Sequence, residues 1–230
     1  MKIITSLSPK ESRRNRQLYC INSWINNLKA EVICIQAHDE IGLLKDFSNV
    51  QFVEFKTDKP LLEDVVDCYN DCDIDFIINS DIELAPGAVC LEKYSKNITD
   101  SLLYIRRWDY DNNNKHNCKI FPWGIDGFCF DRQKKTNPFR GTSFSLGQPW
   151  WDYVLPWYFI QNGQKLYCVR DIIALHQNHV SATKPGSWDM NGNVFLDLFD
   201  IKIQSLSIAA DYILRKILSE TIPLSVEVEN

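Results

Sequence analysis

At 230 residues, with 45% hydrophobic and 12% aromatic content, the chain is long enough to bury one substantial core. A net charge of −5 gives no electrostatic footprint for nucleic acid, and no apolar run approaches the ~18 residues of a transmembrane helix. Eight cysteines are scattered through apolar patterns without a C-x-x-C, which predicts free thiols in a reducing, cytoplasmic setting and no structural zinc.

The opening "MKIITSLSPK" holds too few apolar residues before Ser8-Pro9 for a signal peptide. "KIITSL" reads as a first strand. Ser8 as N-cap, Pro9 at the first helical position and Glu11 closing a capping box predict a helix over 9–29. Leu18, Ile21, Trp24, Ile25 and Leu28 recur along it at helical spacing. "EVICIQA" (31–37) and "VQFVEF" (50–55) are further strands, "PLLEDVVDCYND" (60–71) a helix, and "IDFIINS" (74–80) a buried strand. Continuous apolar strands alternating with helices predict an α/β fold with a mainly parallel sheet covered on both faces.

Farther on, "SLLYIRR" and "GFCFD" read as strands separated by the polar loop "WDYDNNNKHN". A helix is expected from Pro149, stopped by Gly163, with a kink or break at Pro156. "KLYCV" and "IIALHQNH" read as short extended runs, and 194–222 carries helical periodicity. The expected division is a domain over 1–190 and a helical C-terminal segment over 191–230, packed on it or leading to a further domain.

Asp81 and Glu83 end the buried strand as D-x-E. Residues i and i+2 of an extended chain share a face, so the two carboxylates repel unless a cation lies between them. Mg²⁺, Mn²⁺ or Ca²⁺ would serve, because hard cations take oxygen ligands. The plainer alternative is a strand end whose acids both face water. Thr5, Ser6, His38, Asp39 and Asp58 also follow strands, where parallel sheets bind ligands.

With these features the chain resembles the GT-A (Rossmann-like) glycosyltransferases, and most of all the small single-domain transferases of large algal viruses and bacteria. The resemblance covers roughly residues 1–185 and rests on "IITSLSPKESRR", "FIINSDIEL", "GIDGFCFDR", "LGQPWWDYVLP" and "ALHQNH". Glu83 stands where the family's motif has a second Asp. The resemblance implies transfer from a nucleotide-diphosphate sugar, a UDP-sugar above all, to a carbohydrate hydroxyl, with inversion. Asp81 and Glu83 would hold Mn²⁺ or Mg²⁺, joined by a late histidine, His176 in preference to His179. Thr5, Ser6, Asp39 (or His38) and Asp58 would meet the base or ribose, and Arg13 the diphosphate. Arg14 reads as a solvated helix face, while Arg106 and Arg107 close a later strand. Trp150 and Trp151 would offer an aromatic platform to the acceptor. Asp152 would be the base, with Asp126 as the runner-up. A sugar-nucleotide pyrophosphorylase is a competing reading, against which "SLSPKESRR" lacks any glycine. A non-catalytic carbohydrate-binding module is another, and it leaves the strand-terminal acids unexplained.

Overall fold

Successive residues of the central strands belong to two different cores. In strand β1 (Lys2–Thr5) Ile3 packs on one side and Ile4 on the other; in β2 (Glu31–Ala37) Val32 and Cys34 oppose Ile33 and Ile35. The alternation continues through β4 (Phe76–Ile78), β6 (Ser101–Tyr110) and β7 (Lys119–Phe130). A pleated strand places neighbours on opposite faces, so apolar residues at every position require helices on both. Helices α1 (Glu11–Leu28) and α4 (Cys90–Ser95) cover one face through Ile21, Trp24, Leu28 and Leu91. The other face carries α3 (Leu62–Asp71), α5 (Trp151–Gln161), α6 (Ser187–Leu198) and α7 (Leu206–Ser219). The computed structural model describes residues 1–55, 60–111, 114–131, 137–179 and 185–225.

The remaining elements are the one-turn helix α2 (His38–Ile41) and strands β3 (Val50–Phe55), β5 (Ile82–Leu84), β8 (Lys165–Val169), β9 (Ala174–Gln177) and β10 (Thr221–Leu224). Strand order across the sheet is β10-β8-β6-β7-β4-β1-β2-β3. Its pairings are parallel except where β7 meets β4 and β6, and where β5 meets β9. This is a mixed α/β, Rossmann-like architecture with a mostly parallel sheet. Strand β6 is shared: Ser101–Ile105 pair with β8, whereas Trp108–Tyr110 pair with β9 after a register irregularity.

Several boundaries differ from those expected. Helix α1 begins at Glu11, with Lys10 as an N-cap that makes no side-chain cap bond, so the Ser8 capping box does not form. Helix α5 runs through Pro156 without a break. The periodicity over 194–222 resolves into α6, α7 and the edge strand β10, because Asp200 (φ 51°) turns the chain after α6. Phe195, Ile213 and Ile217 lie in the same core as the sheet, and residues 226–230 lie outside the described residues. All eight cysteines are free. Among the described residues, no helix is long and apolar enough to cross a membrane.

Candidate active site

A cleft of about 980 Å³ opens where β1, β2 and β4 end. Strand β4 stops at Ile78, and Asn79-Ser80, two turn-forming residues, redirect the chain before β5. Ile82 N donates to Asn79 O at 3.2 Å and closes that turn. Asp81 therefore stands in a turn, and the alternation expected of one extended strand does not apply to it and Glu83. Gly147 (φ +75°) passes so near Asn79 that a Cβ there would lie 3.0 Å from its Oδ1. Only glycine adopts that conformation at low cost in such a space.

Side chains of α1 serve the edge of β5 that has no strand partner among the described residues. Trp24 Nε1 donates to Ile82 O (2.8 Å), Asn27 Nδ2 to Leu84 O (2.7 Å), and Leu84 N donates to Ser23 Oγ (2.9 Å). The other edge pairs with β9, which sets His176 opposite Ile82.

Asp81, His176 and His179 converge in this cleft. Asp81 Oδ2 lies 3.5 Å from His176 Nε2 and 3.3 Å from His179 Nε2, and the two imidazole nitrogens are 3.2 Å apart. A cation bonded at about 2.1 Å spaces its ligand atoms about 3.0 Å apart in an octahedral set and about 3.4 Å in a tetrahedral one. The triangle fits one face of either. Asp81 Oδ1 is buried and, among the described residues, has no hydrogen-bond partner, which leaves room for an ion to satisfy it. Behind the ring, His176 Nδ1 faces Asp109 Oδ1 at 3.1 Å, leaving Nε2 toward the cluster. Two imidazoles and a carboxylate suit Mn²⁺, Fe²⁺ or Zn²⁺ better than an all-oxygen ion such as Mg²⁺.

The charges are finely set. Burial by itself would raise the Asp81 carboxyl, yet hydrogen bonds from His176 and His179 hold it well below the usual carboxylate range. Burial would lower the His176 ring, but its bonds to Asp109 and Asp81 outweigh that and raise its proton affinity. Arg13 reaches the cluster from α1, with Nη1 2.5 Å from His179 Nε2 and 2.9 Å from its Nδ1.

Two more carboxylates share the cleft. Asp126 is buried on β7, accepts from Asn79 Nδ2 (3.2 Å) and lies 3.6 Å from Arg107 Nη1, while its Oδ2 has no hydrogen bond among the described residues. Burial raises its carboxyl further than Arg107 lowers it. Asp152, in the first turn of α5, keeps part of its surface open to the cleft. Burial, and then the Asp126 charge, push its carboxyl well above the usual range.

The expected residues divide as follows. Ser6, Arg13, Asp81, Asp126, Asp152, and His176 line the cleft, together with His179. Glu83 faces away from the histidine cluster, toward Lys115 Nζ (2.5 Å) and Arg16 Nη1 (3.8 Å), because β5 turns it to α1. Thr5 is fully buried, and its Oγ1 has no hydrogen-bond partner among the described residues. Asp39 is exposed on α2 and off the cleft lining, where its neighbour Glu40 and the β2 residue Gln36 stand instead. His38 pairs with Glu54 at 2.8 Å, and Arg14 with Asp46 at 3.2 Å. Asp58 lies outside the described residues. Arg106 donates to Pro122 O (2.8 Å), while Arg107 bridges Asp109 and Asp126.

The aromatic platform needs revision. Trp150 and Trp151 touch the cleft but are 1% and 3% exposed, committed to the core by packing on Trp188, Phe195 and Phe128. Trp123 and Trp188 line the same cleft at 47% and 41% exposure. Sequence reading missed these two, along with Arg16 and Asp109. Alternation along "KIFPWG" marks Trp123 only weakly, and nothing local ties Asp109 to a histidine 67 positions away.

No protein-family model and no curated protein matches this chain. Among solved structures it is similar to a Bacillus anthracis protein provisionally described as a glucose-1-phosphate thymidylyltransferase, crystallised in complex with a sucrose. Identity is 12%, the match covers 89% of this chain and 97% of that one, and the TM-score is 0.45.

Proposed function

We propose that this chain is a metal-dependent glycosyltransferase that moves a sugar from a nucleotide-diphosphate donor, a UDP-sugar, to a carbohydrate hydroxyl with inversion. The observation that carries the reading is the convergence of Asp81, His176 and His179 with the desolvated carboxylates Asp126 and Asp152 in one cleft at the strand ends. A divalent cation, Mn²⁺ ahead of Mg²⁺ for this donor set, would neutralise the charge that builds on a diphosphate leaving group. Asp81, His176 and His179 would hold it. Arg13 would meet the diphosphate, and Ser6 the nucleoside.

Asp152 has the chemistry of a base. Its raised proton affinity lets it accept the acceptor hydroxyl's proton as the oxygen attacks the anomeric carbon. Asp126, held by Asn79 and Arg107, would orient donor hydroxyls. Trp123 and Trp188 would replace Trp150 and Trp151 as the surface for the apolar C–H face of a sugar ring.

Sugar-nucleotide pyrophosphorylase chemistry is the competing reading. Its nucleophile is a sugar phosphate that is already ionised and needs cations more than a base. Two carboxylates with raised proton affinity favour an acceptor that must lose a proton. The deciding experiment supplies Mn²⁺ with UDP-sugars and saccharide acceptors in one arm, and nucleoside triphosphates with sugar 1-phosphates in the other. Release of UDP that stops in Asp81→Ala supports glycosyl transfer. Release of pyrophosphate in the second arm, with none of UDP in the first, overturns it.

A further inference from the structure

We infer that Arg16 is a positioning residue for the metal centre and that Glu83 and Tyr110 hold it in place, so that the second acid of D-x-E braces the site from outside the ligand set. The inference rests on the metal reading above.

Arg16 extends from α1 into the junction of three strands. Its Nη2 lies 3.4 Å from the carbonyl of Asp81 and 3.4 Å from that of Leu175, the residue before His176. Its Nη1 donates to Tyr110 Oη at 2.9 Å, and Tyr110 follows Asp109, which orients His176. One guanidinium therefore touches the carbonyls of Asp81 and Leu175 and the phenol of Tyr110, next to the orienting carboxylate. Asp81 sits in the turn ahead of the three-residue β5–β9 ladder, which begins only at Ile82. A bond to its carbonyl restrains a position that the ladder does not. Arginine suits the task because its planar fork directs several donors at fixed angles, which an ammonium cannot do.

Glu83 supplies the counter-charge. Arg16 and Glu83 side chains are 13% and 8% exposed, so an unpaired guanidinium there would be costly. Tyr110 Oη donates to Glu83 Oε2 at 3.3 Å while accepting from Arg16, and Lys115 with Tyr19 engages Oε1. A carboxylate committed to two cations and two phenols cannot also ligate an ion at the histidine cluster. It can keep the arginine fixed.

The test titrates Mn²⁺ into metal-free wild type, Arg16→Lys, Glu83→Gln and Tyr110→Phe by calorimetry, with thermal melts in parallel. Arg16→Lys keeps the charge but cannot span both carbonyls, so Mn²⁺ affinity should fall about 10–100-fold, the usual effect of losing an outer-shell partner. Excess Mn²⁺ should restore full occupancy. In an Asp81→Asn background the same substitution should add no further loss, since the two act on one ligand. Tyr110→Phe, the gentlest change, should give a smaller fall and secures the answer if Arg16→Lys does not fold. Wild-type affinity in Arg16→Lys or Tyr110→Phe, or a loss that adds fully to that of Asp81→Asn, overturns the inference alone. A wild type that takes up no Mn²⁺ overturns the metal reading and this inference with it.

Discussion

Asp109 Oδ1 lies 3.1 Å from Nδ1 of His176, on the side of the ring away from Asp81. A carboxylate there accepts the Nδ1 proton and fixes the tautomer that offers Nε2 to an ion. Asp109→Asn keeps the shape but can present its amide instead. Mn²⁺ affinity should fall about 10–100-fold with little change in melting temperature, as read by calorimetry and a thermal melt. Unchanged affinity would show that the tautomer is fixed elsewhere.

Metal binding should depend on pH with a definite sign. Without metal, His176 holds its proton above the ordinary imidazole range because Asp109 and Asp81 outweigh its burial. An ion needs the lone pair that this proton occupies, so Mn²⁺ affinity should rise with pH through and somewhat beyond that range, with proton release. Stability of the metal-free protein runs the other way. The contribution of a raised imidazole is complete below its unfolded value and is lost as pH rises through the folded one. Proton release measured in two buffers of different ionisation enthalpy checks the coupling; its absence at neutral pH would contradict a charged His176.

Asp152→Asn separates catalysis from binding. The amide keeps the shape of the cleft wall but cannot take a proton, so transfer should fall about 10²–10⁴-fold while donor affinity stays near wild type. Its carboxyl is raised, so activity in the wild type should increase with pH across that raised range. Stability should decrease over the same window, because the folded state holds the proton that the unfolded chain has already released. The Asn variant should lose both dependences. Normal transfer by Asp152→Asn would pass the role to Asp126.

The four tryptophans of the cleft should divide into two classes. Trp150→Ala or Trp151→Ala empties core volume and should cost about 3–5 kcal/mol of stability, read from denaturant unfolding. Trp123→Ala and Trp188→Ala remove half-exposed rings and should leave the melting temperature within a few degrees of wild type. Their effect should appear as a raised KM for the saccharide acceptor with kcat largely retained. An unchanged KM in both would place the acceptor elsewhere in the cleft.

The α/β class, the buried strand 31–37, the strand 50–55 (half-exposed at the sheet edge rather than buried) and the end of the sheet where the cleft opens were legible because each depends on local periodicity and on which end of a strand loops follow. Asp81 and His176 were also legible as strand-end polar residues and Asp152 as a helix-start acid, Asp126 was singled out only through the resemblance, and the cleft gathers all four. The roles of Glu83 and of the tryptophans were not. Whether Glu83 faces an ion or an arginine depends on a turn at Asn79-Ser80 and on where α1 docks, and two residues of sequence spacing carry neither fact. Trp150 and Trp151 looked like a platform in the stretch "GQPWWD", but Trp188 and Phe195 of α6 fold back over Trp150, and Phe128 of β7 packs on Trp151. Asp109 and His179 complete the histidine cluster only because β9 pairs with both β5 and β6. Local patterns decide which residues are strand, helix or turn, since the backbone's periods are local; the partners of a charge or an indole come from distant segments, so packing alone decides them.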